Sequence, residues 1–333
     1  MKEMTMNCVR PLRRACLAMA ALGLLAGTGA ALAGPYPERP VTVVAPYPAG
    51  GAADVLTRLL SKKLEEQLGQ PVIVENRPGA GTAIGATYVA NAKPDGYTLL
   101  LSSNSTFTLN PALYPKLTYD AATAYESLGQ VGSVALSLVV HPSVRATSVQ
   151  QLVADIKAAP DRFVYGSFGN GTSSNFAGAM FNSAAGVNMT HVPYKGSAPL
   201  MTDLIGGQIP ISFDTVVAAA PQVRSGKVRV LAVAASRRSS LMPDVPTMAE
   251  VGLPDVDMNA WVALVAPKGL PADVRARLDK AVSTMMALDD TQEQMRKAGF
   301  EPRYTPVPDW AGLVRRDIAR MKAIAEKAHI KAD

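Results

Sequence analysis

Cysteine is almost missing from this 333-residue chain, and its two copies, Cys8 and Cys16, both stand in the first sixteen residues. Beyond residue 16 there is no disulfide to form, no thiolate metal site and no cysteine nucleophile. Histidine is nearly as scarce. His141, His191 and His329 are scattered and lack the paired spacing of a metal site, so no metal and no cofactor is expected. No dense basic run is interleaved with aromatic residues, which argues against a nucleic-acid partner. Past residue 37 no stretch is long and apolar enough to span a bilayer.

The chain opens on Lys2, Arg10, Arg13 and Arg14, then the apolar run "ACLAMAALGLLA", then small residues ending in "ALA" at 31–33. A positive region, an apolar core and an A-x-A site form the secretory signal pattern, with cleavage expected after Ala33. Gly27, Gly29, Gly34, Pro35 and Pro37 break the second half of the run, which disfavours a retained anchor. Arg13 stands where a lipoprotein signal wants an aliphatic residue before Cys16. The signal takes four basic residues and one acidic residue with it, so the formal charge falls from +6 to +3. What remains is an exported, cysteine-free chain of about 300 residues, whose core must supply its stability.

From Val41 onward short strands alternate with helices. "VTVVAP" precedes "ADVLTRLLSKKLEEQL", in which Val55, Leu59, Leu60, Leu64 and Leu68 recur at helical spacing and Gly69 stands at the cap position. "QPVIVENRP", "YTLLLSSN", "FVYGS", "MTHVPYK", "IPISFD" and "VRVLAVAA" read as further strands. Helices are expected near 148–158, 174–185, 198–205, 216–225 and 246–251, and two more segments, 271–298 and 308–331, close the chain. This alternation implies an α/β fold with mostly parallel sheets flanked by helices. "LGQVGSVALSLVVHP" and "VDMNAWVALVAP" read as extended crossings between two lobes. The expected division is a signal at 1–33, one lobe at 34–134 plus 261–333, and a second at 135–260.

Two strand–loop–helix units invite a ligand. In "PYPAGGAAD", Gly50 and Gly51 let the backbone approach closely, and the next helix offers its first-turn amides. Asp54 reads as a cap on its own helix with Arg58 one turn on offsetting its charge. A plain turn with glycine for geometry explains that loop equally well. The second unit, "YGSFGNGTSSNFAGAMF", tips the balance. It brackets Ser167 and Asn170 with Gly166, Gly169 and Gly171, then crowds Thr172, Ser173, Ser174 and Asn175 at a helix start. In open α/β sheets ligands sit beyond the carboxyl ends of strands. Ser102, Ser103, Asn104, Tyr194 and Asp214 share that position. Dipoles and hydroxyls without a cation suit a small carboxylate better than a phosphate. Asp214 either caps the following helix or meets an ammonium or hydroxyl of the ligand. Lys195 reads as a surface residue on a tight turn, and Trp261 either walls the cleft or packs at the crossing strand.

Other patterns mislead. "RPGAGTAIG" has GxGxxxG spacing and not the GxGxxG of a dinucleotide turn. "YGSFG" has Tyr165 where a hydrolase elbow has glycine. No His/Asp partner for Ser167 or Ser173 is apparent, so no catalytic set emerges and an exported serine hydrolase is a remote alternative.

Six ordered motifs then carry a resemblance over essentially the whole mature chain. They are "YPERPVTVVAPYPAGGAADVLTR", "QPVIVENRPGAGTAIGA", "KPDGYTLLLSS", "HVPYKGSAPLMTDLIGGQIPISFDT", "GKVRVLAVAASRRSSLMPDVPTMAEVGLP" and "WVALVAPKGLP". The chain resembles the Bug-type solute receptors, the substrate-binding proteins of tripartite tricarboxylate transporters. That resemblance implies a periplasmic two-lobe "Venus flytrap" of type II-like architecture, with two crossing hinge strands and the ligand between the lobes. It implies a carboxylate gripped by Tyr47, Ala49, Gly50, Gly51 and Asp54 from the first unit. From the second unit it implies Ser167, Gly169, Gly171, Thr172, Ser173 and Asn175. Asn175 departs from the histidine that often precedes "LAG" in the family. The expected partners are a small carboxylate (organic acid, amino acid or aromatic acid) and membrane transporter subunits. A receptor of the same fold that serves a signalling protein is the alternative.

Overall fold

Short apolar strands and amphipathic helices alternate in the structure much as their spacing predicts. The computed structural model describes residues 36–328 and 330, so the signal segment, its cleavage site and His329 lie outside the described residues. Every element below belongs to the unit Pro37–Asp333.

The first sheet grows from β1 (Val41–Ala45), α1 (Ala52–Leu68), β2 (Val72–Asn76), α2 (Ala83–Ala90) and β3 (Thr98–Ser103). β1 pairs in parallel with both β2 and β3, which sets Val43 between Val74 and Leu99. On α1 the buried stripe is Leu56, Leu60, Leu64 and Leu68, whereas Val55 is 42% exposed. Full burial of each leucine contributes about 2 kcal/mol. Gly69 ends the helix in the left-handed conformation, its amide donating to the Glu65 carbonyl.

A π-helical turn, Ser105–Leu109, and the short α3 (Asn110–Leu113) follow β3; neither is announced by the sequence periodicity. β4 (Tyr125–Val134) ends one residue before β5 (Leu136–Val140), so the chain leaves the first sheet at Ala135. The second sheet continues through α4 (Val149–Ala158), β6 (Val164–Ser167), α5 (Ser173–Ala185) and β7 (Thr190–Pro193). It is completed by α6 (Ser197–Ile205), β8 (Ile211–Thr215), α7 (Val216–Arg224) and β9 (Arg229–Ala234). The chain then returns to β10 (Ala260–Pro267) and closes with α8 (Ala272–Ala287), α9 (Asp289–Lys297), β11 (Glu301–Thr305) and α10 (Trp310–Lys327).

Sheet orders are β11-β4-β10-β3-β1-β2 and β7-β6-β8-β5-β9. The strand–helix–strand units are parallel, as expected. β4, β5 and β10 pass between the sheets without a crossover helix and pair antiparallel with their neighbours, so both sheets are mixed. The segment 246–251 is a series of turns and not a helix, with Thr247 bridged to Val233. Among the described residues no helix is long and apolar enough to cross a membrane.

Each sheet has its own core. Val44, Leu100, Val265 and Phe107 anchor the first, where Phe107 meets Trp310 edge-on at 4.9 Å and stacks on Trp261 at 5.9 Å. Trp261 is thereby committed to packing, and its Nε1–H donates to Asp317. Leu138, Phe176, Phe181 and Phe213 anchor the second core. α10 serves both: Trp310 and Val314 pack in the first core, Met321 and Ala325 in the second.

Candidate functional site

Loops from the carboxyl ends of β1, β2, β3, β6, β7 and β8 enclose a cavity of about 1150 Å³. That is the position at which open α/β sheets hold ligands. Five helices begin on its wall. Gly51 and Ala52 open α1, Thr82 and Ala83 open α2, Thr172 and Ser173 open α5, Gly196 and Ser197 open α6, and Thr215 caps α7. Thr172 and Thr215 cap their own helices, but α1, α2 and α6 have no side-chain cap. Each helix start carries roughly half a positive charge. Among the described residues the lining includes no Asp, Glu or Arg, and its formal charges are the exposed Lys116 and Lys195.

Of the first unit, Tyr47, Ala49 and Gly51 line the cavity, whereas Gly50 and Asp54 do not. The Asp54 carboxylate accepts from the Gly50 amide, from Arg58 Nε at 3.0 Å and from Asn76 Nδ2 at 2.9 Å. Asp54 is 4% exposed. Burial works to raise its carboxyl, but the bonds from Arg58, Gly50 and Asn76 hold it below the usual range. The pairing with Arg58 is as expected. The cap is not, because Gly51 occupies the N-cap position and Asp54 instead braces the loop before it. Gly50 sits at φ +83°, and a Cβ there would meet nothing within 4 Å. Its glycine serves backbone conformation, not close approach to a ligand.

A chain of hydroxyls supports this wall from behind. Tyr47 Oη lies 3.1 Å from Ser102 Oγ, which lies 2.5 Å from Thr106 Oγ1, and Thr106 donates to Thr82 Oγ1 at 2.7 Å. Asn110 Nδ2 donates to the Gly81 carbonyl at 2.6 Å. These bonds hold the 79–82 turn, where Ala80 and Thr82 adopt positive φ, a strained state for a β-branched residue. The "RPGAGTAIG" stretch, set aside as a false dinucleotide turn, is thus part of the cavity wall. Its signal was the strand–glycine loop–helix construction it shares with the two units singled out. Ser102 and Ser103 line the cavity, but Asn104 is buried behind it with Nδ2 directed at Met258 Sδ.

In the second unit Gly169, Thr172 and Ser173 line the cavity; Ser167, Gly171 and Asn175 do not. Gly171 is wedged against α3 and Tyr114, where a Cβ would come within 2.7 Å of Asn110 Oδ1. Asn175 Oδ1 accepts from the Gly171 amide and its Nδ2 lies 3.3 Å from His191 Nδ1, so it shapes the loop from within. Sequence reasoning named His191 only as an isolated histidine and missed its pairing with Ser167. The parallel pairing of β6 with β7 brings its Nε2 to 2.6 Å from Ser167 Oγ. This serine–histidine pair does not revive the hydrolase reading. Ser167 is fully buried, away from the cavity, and its Oγ also accepts from the Gly169 amide.

Tyr194 lines the cavity, but its hydroxyl donates to Asp203 at 2.8 Å and is pushed up to about 12 by burial and by that carboxylate. Asp214 is fully buried and does not reach the cavity. It neither caps α7, a role held by Thr215, nor faces a ligand ammonium. Lys195 is exposed, as expected, yet stands at the cavity rim. α6 begins at Ser197, one residue before the expected 198–205, and what its position in the sequence does not show is that Gly196 and Ser197 line the cavity.

A family model described as tripartite tricarboxylate transporter family receptor matches residues 56–330. Protein BugT of Bordetella pertussis is 34% identical over 322 residues, spanning 91% of this chain and 98% of that protein. An R. palustris protein solved with adipate is 32% identical with a TM-score of 0.85, covering 89% of this chain and 99% of that one. MatC from Rhodopseudomonas palustris, solved with bound malate, is also 32% identical, with a TM-score of 0.80 and coverage of 87% and 99%. The two mixed sheets flanked by helices share the fold of these proteins. The chain belongs to the tripartite tricarboxylate transporter receptors, and is a solute receptor, not an enzyme.

Proposed function

We propose that this protein is a periplasmic receptor that closes its two lobes around a small organic carboxylate with an apolar body and delivers it to a tripartite membrane transporter. The observation that carries this reading is the convergence of five helix starts on a cavity whose described lining includes no acidic side chain. Such a wall attracts an anion through its peptide dipoles, with the exposed Lys116 and Lys195 adding positive charge at the rim. Tyr47, Tyr114, Phe168, Tyr194 and Phe300 give it aromatic surface for a ring or an alkyl chain. A ligand ammonium finds no counter-charge there, which disfavours free amino acids. The adipate and malate held by relatives support the carboxylate class. In this reading the lobes are 34–134 with 261–333, and 135–260, and the signal leaves after Ala33. Tyr47, Ala49, Gly51, Ser102, Thr172 and Ser173 are the expected ligand neighbours.

Thermal-shift and calorimetric titration of the refolded mature chain tests it. Adipate and benzoate should raise the melting temperature and aspartate should not. A ligand at 100 times its Kd stabilises by about 2.7 kcal/mol. If none of a panel of mono-, di- and tricarboxylates shifts the transition, the reading fails.

A further inference from the structure

Asp214 lies one side chain behind the cavity wall. Its Oδ2 accepts from Ser197 Oγ at 2.7 Å, and its Oδ1 accepts from the Thr215 amide at 2.7 Å. Ser197 and Thr215 both line the cavity. A hydroxyl has one proton to donate and lone pairs to accept with. While Asp214 is ionised it can only accept, so the Ser197 proton is committed to Oδ2 and the hydroxyl turns a lone pair toward the cavity. When Asp214 carries a proton, it donates to Ser197 Oγ, and the Ser197 O–H is released to donate to an anion. Burial pushes the Asp214 carboxyl up to about 7, only partly offset by its bonds from Ser197 and Thr215, so both forms are reachable near neutral pH.

The surroundings leave few rivals for this proton. On the flanking strands, β5 has no ionisable residue and β6 has Tyr165, whose hydroxyl burial pushes upward. α5, packed on β8, has none. α6 brings Asp203, bonded to Tyr194, with the exposed Lys195 just before it. α7 brings Arg224 at its far end. His191, on β7 beyond β6, pairs with Ser167.

We propose that Asp214 is a positioning residue that sets the donor–acceptor sense of Ser197, so that capture of a carboxylate draws a proton from solvent onto each Asp214 that is still ionised. The inference rests on the carboxylate reading above. It makes this receptor a proton-linked binder, with weaker capture as the surroundings turn alkaline.

Calorimetry of the refolded protein with adipate, and with benzoate and malate alongside, in buffers of different ionisation enthalpy counts the protons. All three ligands are already ionised between pH 6 and 8, so protons taken up go to the protein. The wild type should take up a fraction of one proton per ligand, and its affinity should fall by up to about tenfold per pH unit above pH 7. Asp214→Asn, whose amide donates to Ser197 permanently, should bind without proton uptake and with flat affinity across that range. His191→Asn should keep the uptake. Ser197→Ala gives a second reading if Asp214→Asn fails to fold, and should at least halve the uptake. Binding with no proton uptake, uptake that persists in Asp214→Asn or is undiminished in Ser197→Ala, or uptake lost with His191 overturns the proposal while leaving carboxylate capture intact. No binding by any of the three acids removes both.

Discussion

The Ser173 amide, at the start of α5 beside the second sheet, donates to the Ser105 hydroxyl, in the π-helical turn after β3 of the first sheet, at 3.2 Å. Ser105 is in turn tied back, its own amide donating to Ser103 Oγ, which lies 2.8 Å from Tyr47 Oη. A hydrogen-bonded path therefore joins the two glycine-bearing loops through three serines. In a receptor that opens and closes, this bond between Ser105 and Ser173 is available to hold the closed form.

Ser105→Ala should weaken ligand binding about tenfold. It leaves a buried amide unpaired in the closed form, and such a group costs about 1–3 kcal/mol. Calorimetry gives the affinity, and small-angle scattering of the unliganded protein should show a larger radius than wild type. Unchanged affinity and radius would mean that closure does not use this bond.

Gly50 and Gly51 should respond oppositely to substitution. Gly51 has an ordinary φ of −83° and faces the cavity, so Gly51→Asp should fold normally. Its carboxylate would stand against the bound one, and repulsion at about 4 Å with an effective dielectric near 20 is about 4 kcal/mol. Binding should fall by two orders of magnitude or more. Gly50→Ala, at φ +83°, should instead lose about 1 kcal/mol of stability while retaining most of its affinity. Urea denaturation and calorimetry on the two variants separate conformation from contact.

The Asp54 brace predicts an acid-sensitive loop. Its folded carboxyl is held below the ordinary 3.8, so the stabilisation is present above that value and is lost as pH falls through the folded one. Asp54→Asn should lower the melting temperature at pH 7 and flatten its decline between pH 5 and 3. A variant that melts like wild type at pH 7 would show that Arg58 and Asn76 hold the loop without it.

Much of this was written in local pattern. Leucines four apart announce α1, Gly69 announces its end, and hydrophobic runs bounded by Gly and Pro announce the parallel strands. The two loops rich in glycine and hydroxyls were visible for the same reason. Side chains joined by tertiary pairing were not. His191 meets Ser167 only because β6 and β7 lie side by side, and Ser197 meets Asp214 across 17 residues. Asp54 and Asn175 sit in the motifs expected to hold ligand but point inward, because a loop that offers its amides needs other groups to fix its shape. The π-helical turn at 105–109 has no periodicity to betray it.

Asp214 also makes a prediction for the empty receptor. Its folded value, about 7, lies above the ordinary 3.8, so between those values the folded chain holds a proton that the unfolded chain has released. Stability then falls as pH rises from about 4 to 7, by up to about 1.4 kcal/mol per unit for one proton, and levels off once the folded group ionises. Asp214→Asn carries no such proton. Relative to wild type it should gain stability steadily across that window and hold the gain at pH 8, because its Nδ2 can donate to Ser197 while its Oδ1 still accepts from the Thr215 amide. Urea melts of both proteins at pH 5, 6, 7 and 8, without ligand, measure the difference. Parallel curves for the two would show that the buried carboxyl titrates as an ordinary one, and the ionised form would then be the one that Ser197 serves at every pH at which the receptor works.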